Sequence, residues 1–219
     1  MSLAIFDLDN TLIAGDSDHA WGEFLVEHEL VDGAEFARAN DRFYADYQRG
    51  ELDIDAYLAF ALQPLSRFTP DELRTLHQQF MATKIAPVML PKAQALLQKH
   101  RTAGDFLLII TATNRFITGP IGDALGVDDL LASEPELIDG RYTGRATGTP
   151  CYQGGKVTRL HAWLEETGHS LEGSYFYSDS HNDIPLLEEV THPIAVDPDE
   201  QLRQHAETNG WRVISLRDR

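Results

Sequence analysis

Leu3-Ala4-Ile5-Phe6-Asp7-Leu8-Asp9-Asn10-Thr11-Leu12, residues 3–12, passes in one step from an unbroken apolar run to two carboxylates two residues apart. Four apolar residues without polar alternation read as a strand buried on both faces, as in parallel sheets. The C-terminal ends of such strands are where open α/β proteins place their ligands. A polar turn after an edge strand would use the same residue types, and D-x-D-x-T is a weak motif on its own, so the reading depends on what the rest of the chain supplies.

Working outward, Asp16 to Ile85 has helical periodicity: Ala20, Trp21, Phe24 and Leu25; Phe36, Asn40, Phe43, Tyr44 and Tyr47; Ile54, Tyr57, Leu58, Ala61 and Leu62; and Leu73, Leu76, Phe80 and Met81. The last set opens on Thr69-Pro70-Asp71-Glu72, a capping box with proline at the first helical position. Four helices here predict an all-α unit. After Pro87 the pattern alternates. A helix over Leu90 to Arg101 is followed by a strand from Phe106 to Ile110 and a short helix after Asn114. A strand over Asp129 to Ala132 leads to Asp139-Gly140, a hairpin signal. Helix, strand and helix then follow over Lys156 to Glu166, Ser174 to Ser178 and Asn182 to Glu189, with further short strands at Pro193 to Val196 and Val213 to Leu216. Buried strands alternating with helices imply a parallel sheet. The expected organisation is an α/β protein with a helical insertion after its first strand.

The 219 residues carry 18 Lys and Arg against 35 Asp and Glu, a net charge of −17, with 42% hydrophobic side chains. That composition is globular, and a field of this sign disfavours nucleic acid and anionic membranes as partners. The single cysteine, Cys151, reads as a buried small residue in a reducing compartment. The N-terminus has no basic segment, and no apolar run approaches about 18 residues. A cytoplasmic protein, monomeric or a small homo-oligomer, is expected.

Three further segments carry polar residues to the same place. Tyr175 to Asp183, YFYSDSHND, is a second strand ending in carboxylates, Asp179 and Asp183, although Asp179 or Asn182 could also cap the following helix. If both strands are central and parallel, Asp7, Asp9, Asp179 and Asp183 converge at one sheet edge, an arrangement that calls for a cation. Hard oxygen ligands without Cys or paired His point to Mg²⁺. Phe106 to Ile110 runs into Thr111-Ala112-Thr113-Asn114, which offers hydroxyl and amide donors. Gly154-Gly155-Lys156 opens a helix where free N–H groups and an ammonium both attract an anion.

Together and in this order, FDLDNTL (6–12), IITATN (109–114), GGK (154–156) and YSDSHNDIPLL (177–187) resemble the four motifs of the haloacid dehalogenase superfamily, in its phosphoserine phosphatase-like branch. The resemblance spans essentially the whole chain. It implies a Rossmann-like α/β core from residues 1–15 and 86–219, a four-helix cap from residues 16–85 that closes over a small substrate, and a small β-hairpin flap. It also implies a Mg²⁺-dependent phosphatase of a small phosphorylated metabolite, with Asp7 as the nucleophile forming an aspartyl-phosphate and Asp9 as the acid and base. Thr111, Lys156 and Asn182 would contact phosphate. Asp179, with the Asp7 carboxylate and the Asp9 carbonyl, would bind the metal, and Asp183 would reach it through water or orient Lys156.

In that branch an acid nine residues after the nucleophile holds a substrate amine, and Asp16 stands there; capping of the first cap helix is the equal alternative. Phosphoserine itself fits less well. SDSHND lacks the glycine usual in those enzymes, and no segment matches their carboxylate-binding arginine segment, for which Arg38, Arg42 and Arg49 are no more than candidates. Histidinol phosphate, which has an amine and no carboxylate, is the rival substrate. The cap aromatics Trp21, Phe43, Tyr44, Tyr47 and Tyr57 are expected in the helix–helix core, and His19 and His181 in solvent. A phosphotransferase using the same intermediate and a catalytically silent phospho-ligand binder are the competing functions.

Overall fold

The computed structural model describes residues 2–217. A seven-stranded sheet has the order β4-β3-β2-β1-β5-β6-β7, with β1 (Leu3–Phe6) at its centre. β2 (Phe106–Asn114), β3 (Asp129–Ile138), β5 (Tyr175–Ser178), β6 (His192–Val196) and β7 (Arg212–Ile214) run parallel to their neighbours, and only β4 (Arg141–Thr147) is antiparallel. Ile5 lies between Leu108 of β2 and Phe176 of β5. The period of two sends Ala4 and Phe6 to one face and Leu3 and Ile5 to the other. Ala93 and Leu97 of α5 (Pro91–Ala103) and Ile117 and Ile121 of α6 (Arg115–Leu125) cover the first face. α7 (Gly154–Thr167), the single turn α8 (Ile184–Leu187) and α9 (Glu200–Asn209) cover the second through Leu160, Trp163, Leu186, Leu187, Leu202 and Ala206.

Four helices stand between β1 and α5: α1 (Ser17–Glu27), α2 (Gly33–Arg49), α3 (Ile54–Leu62) and α4 (Pro70–Phe80). Three of these starts have a side-chain cause. Asp16 accepts from the His19 N–H at 2.8 Å, Asp53 from Ala56 at 3.0 Å, and Thr69 and Glu72 form the reciprocal capping box with Pro70 behind it. The insertion shares one apolar cluster with the first face of the sheet. Trp21 and Phe80 meet edge to face at 5.2 Å, and Trp21 meets Phe116 of α6 at the same distance. Buried His77 donates to the Ile117 carbonyl at 3.0 Å, and burial lowers its pKa, which keeps the ring neutral in this apolar contact.

β3 and β4 form the expected hairpin. Asp139 and Gly140, with φ of 51° and 76°, make the left-handed turn that two-residue hairpins require. The hairpin leans on the insertion where Gly144 (φ 83°) approaches Gln63; a Cβ there would lie 3.2 Å from the Gln63 Cα.

Four elements differ from expectation. β2 and β3 run on past Ile110 and Ala132, because their extensions pair with each other and with β4. Residues 182–189 do not form one helix. His181–Asp183 is a 3₁₀ turn started by the Ser180 hydroxyl, and Pro185, which has no N–H, sits in a helix of a single turn. α9 has no counterpart in the sequence reading, since only Leu202 and Ala206 on it are buried.

Candidate active site

The N–H of Asp7 donates to the Tyr177 carbonyl at 2.9 Å, so the sheet geometry continues one residue beyond β1 and fixes where the carboxylate sits. The chain then folds back tightly: the Leu8 carbonyl accepts from Thr11, Leu12 and Ile13, and Asn10 takes a left-handed φ of 56°, which Asn tolerates better than most residues. This loop aims Asp9 at the end of β2. Thr113 donates its hydroxyl to one Asp9 oxygen at 2.8 Å, and the Ser17 N–H donates to the other at 2.6 Å. Thr111 lies one β period before Thr113 and is 1% exposed.

Lys156, in the first turn of α7, is 1% exposed and reaches Asp7 and Asp183 at 2.8 Å each. Gly155 permits this approach, because a side chain there would collide with the Pro150 carbonyl. The Ser178 hydroxyl donates to Asp183 at 2.7 Å, so Asp183 is bound to Lys156 and Ser178. The Thr11 hydroxyl lies 3.4 Å from Asp7 Oδ2 and 3.1 Å from Asp179 Oδ1, and therefore faces both carboxylates at once.

These acids stand close together out of water. Burial raises the Asp7 pKa to about 7, even though Lys156 pulls it down. Asp9 is pushed to about 7 by burial and then by the charge of Asp16, against the hydrogen bonds from Ser17 and Thr113. Burial and then the Asp7 charge hold Asp179 well above the carboxylate range. Burial opposes the Lys156 charge, but Asp183 and Asp7 outweigh it and keep the ammonium protonated. Among the described residues Lys156 is the sole ammonium paired within Asp7, Asp9, Asp179 and Asp183, and the cluster is short of positive charge. Among the described residues no three His, Cys, Asp or Glu side chains form a closed metal cage. Two carboxylates flanking one hydroxyl, Asp7 and Asp179, nevertheless suit Mg²⁺, which takes one or two protein carboxylates and completes its shell with water and phosphate oxygens.

Between this edge and the helical insertion lies a cavity with about 500 Å³ of free space, part of it open to solvent. Asp7, Asp9, Thr111 and Thr113 form its floor, Asp16, Asp18 and His19 one wall, and Phe43, Tyr44, Tyr47 and Tyr57 much of the other. Among the described residues no Lys or Arg lines it. Burial raises Asp16 to about 6 and Asp18 to about 7.

Asp7, Asp9, Lys156, Asp179 and Asp183 are thus brought together with Thr111, and Asp16 both caps α1 and faces the cavity. Asn182 is placed otherwise. Its side-chain oxygen accepts from Tyr152 and Gln153 and its NH₂ donates to the Tyr47 carbonyl at 3.0 Å, so it ties the insertion to the core instead of facing the phosphate end. The cap aromatics also need correction: Trp21 is core, but Phe43, Tyr44, Tyr47 and Tyr57 line the cavity, because α2 and α3 stand over the sheet edge. His19 lines it too and meets Asp41 at 2.9 Å, and His181 is held by Asp199 at 2.7 Å instead of being solvated. Arg38, Arg42 and Arg49 do not line the cavity. Cys151 is fully buried and its thiol is pushed up to about 12 by burial, which makes it inert. The sequence gives no individual role to Thr11 or Ser178, reads Thr113 only as one of several donors after β2, and reads Asp18 only as a partner in capping α1. Their hydroxyls or carboxyl acquire a place in the site only from across the fold, although Thr11 lies inside the first motif and Thr113 inside the second.

Comparison with known proteins agrees with this geometry. A family model described as haloacid dehalogenase-like hydrolase matches residues 4–188. A histidinol-phosphatase of Neisseria meningitidis serogroup C (strain 8013) is 48% identical over 220 residues, covering 99% of each chain. A solved structure of a protein of unknown function from Bordetella pertussis Tohama I superposes with a TM-score of 0.92 at 46% identity over 99% of both chains. A phospho-aspartyl intermediate analogue of phosphoserine phosphatase superposes at 0.69 and 18% identity, over 99% of this chain and 93% of that one, which is a likeness of fold.

Proposed function

The chain belongs to the haloacid dehalogenase-like hydrolases, and from that premise we propose that this phosphoric monoester hydrolase cleaves histidinol phosphate, through an aspartyl-phosphate on Asp7. The observation that carries the choice of substrate is the cavity lining, which has four aspartates and no guanidinium or ammonium. Phosphoserine would bring a carboxylate into that wall with no lysine or arginine among the described lining residues to meet it. An amino alcohol ester brings cationic nitrogen and no second anion, and the 48% identical relative is named for such a substrate.

The Asp7 carboxylate attacks phosphorus in line, the bond from phosphorus to the ester oxygen breaks, and Asp9 gives its proton to the departing alkoxide. A pKa raised to about 7 suits Asp9 to hold that proton near neutrality. Asp9 then takes a proton from water as the oxygen attacks the aspartyl-phosphate, releasing phosphate and restoring Asp7. Lys156 faces the charge that develops on Asp7 and the phosphoryl oxygens, and the Thr111 hydroxyl donates to one of those oxygens. Asp183 orients Lys156 from its other side. Mg²⁺, held by Asp7, Asp179 and the Asp9 main-chain carbonyl that the family resemblance implies, would neutralise the phosphoryl dianion in a protein of net charge −17. In this reading residues 16–85 act as a cap that excludes bulk water and admits only small esters.

The test is phosphate release from histidinol phosphate, phosphoserine and sugar phosphates, with and without Mg²⁺, beside Asp7→Asn. Mg²⁺-dependent release from histidinol phosphate, abolished in the variant, is the expected result. A preference for phosphoserine overturns the choice of substrate, and turnover retained by Asp7→Asn overturns the nucleophile.

A further inference from the structure

One acid in the cavity has no part in the chemistry above. Asp18 sits in the first turn of α1, is 7% exposed, and faces the cavity. It is not needed as a cap, because Asp16 already accepts the His19 N–H that starts the helix. Tyr57 of α3 stands beside it in the cavity lining and acts to lower its raised pKa, and among the described residues no lysine or arginine lines the cavity to compensate it. A carboxylate this deep with one neutral partner is costly in the empty protein. It becomes favourable when a ligand brings an N–H or a cation against it.

The surroundings narrow what that ligand group is. Phe43, Tyr44 and Tyr57 give the same cavity aromatic walls, and Phe43 and Tyr57 meet edge to face at 5.3 Å. Flat rings and cations both bind well against such surfaces. Asp16 offers a separate carboxylate on the other side of Ser17, whose N–H donates to Asp9.

We propose that Asp18, beside Tyr57 in the cavity wall, is a specificity-determining residue that accepts an N–H from the nitrogen heterocycle of the substrate, while Asp16 takes the amine. This assignment rests on the proposed substrate. It makes the enzyme a reader of two nitrogen groups beyond the phosphate, an aliphatic amine and an aromatic ring.

The test compares histidinol phosphate with alaninol phosphate, which keeps the phosphate and amine and lacks the ring, in wild type, Asp18→Asn and Tyr57→Phe. For Asp18→Asn, kcat/KM on histidinol phosphate is expected to fall about tenfold to a hundredfold, mostly through KM, and on alaninol phosphate by less than about threefold. Tyr57→Phe, which leaves the carboxylate in place and removes the hydroxyl beside it, is expected to show the same selectivity at a few-fold size, and it carries the test if Asp18→Asn does not fold. Equal losses on both substrates mean that Asp18 only braces α1 against α3, and overturn the assignment while leaving the proposed function standing. A wild-type enzyme that hydrolyses other amine esters but not histidinol phosphate overturns both.

Discussion

Replacing Asp18 with Asn is expected to stabilise the ligand-free protein, the reverse of the usual outcome for a buried position. The carboxyl is raised from its ordinary 3.8 to about 7, chiefly by burial, with the Tyr57 hydrogen bond opposing and the Asp9 charge adding. Between those two pH values the folded chain holds a proton that the unfolded chain has released. Stability therefore falls as pH rises through that window and levels off above about 7. At 1.36 kcal/mol for each tenfold change in acidity, the rise amounts to about 4 kcal/mol if the whole burial penalty is felt, and about 2 kcal/mol if water in the cavity screens half of it. Asn is nearly isosteric and carries no charge to bury. Urea denaturation of the apo protein at pH 5 and pH 8 is the assay. The advantage of the variant should be about 1–2 kcal/mol at pH 5 and grow to about 2–4 kcal/mol at pH 8. A variant that is less stable at pH 8, or a difference that does not change with pH, would refute the account of Asp18 as an uncompensated buried charge.

Asp7→Asn should lower kcat by at least about 10³-fold with the fold retained, measured by phosphate release beside circular dichroism. Lys156→Met leaves Asp7 and Asp183 buried without their cation, so it should cost about 3–5 kcal/mol in urea titration at pH 8 as well as turnover; a loss under about 1 kcal/mol would show that the pair adds little. Chelation by EDTA should abolish activity and added Mg²⁺ restore it; at a hundredfold excess over its dissociation constant Mg²⁺ should stabilise wild type by about 2.7 kcal/mol and Asp179→Asn by much less. Gly144→Ala places a Cβ at φ 83° and 3.2 Å from the Gln63 Cα, so it should destabilise the hairpin against the insertion by about 1–2 kcal/mol, read from thermal melting.

Much of the molecule was legible in the chain because its signals are local. The apolar runs of β1, β2 and β5 followed at once by polar residues are short-range patterns that survive folding, as are the capping box at Thr69 and Glu72 and the Asp139-Gly140 turn. The motifs reading FDLDNTL, GGK and YSDSHND likewise pointed to Asp7, Lys156, Asp179 and Asp183, which the fold brings to one sheet edge. α9 was missed because its buried stripe is only Leu202 and Ala206, too narrow to stand out as a period.

What the chain alone determined is the set of groups and the strand ends that carry them, since strand periodicity and turn chemistry are written over a few residues. Only the tertiary structure decided what each group faces. It turned Asn182 toward Tyr47, gave Asp9 its partners Thr113 and Ser17, and set Asp18 against Tyr57 in a cavity without a lysine or arginine. The Asn182 contact joins residues 135 positions apart. No periodicity encodes such pairings, because they arise when separate elements pack and the water between them is displaced.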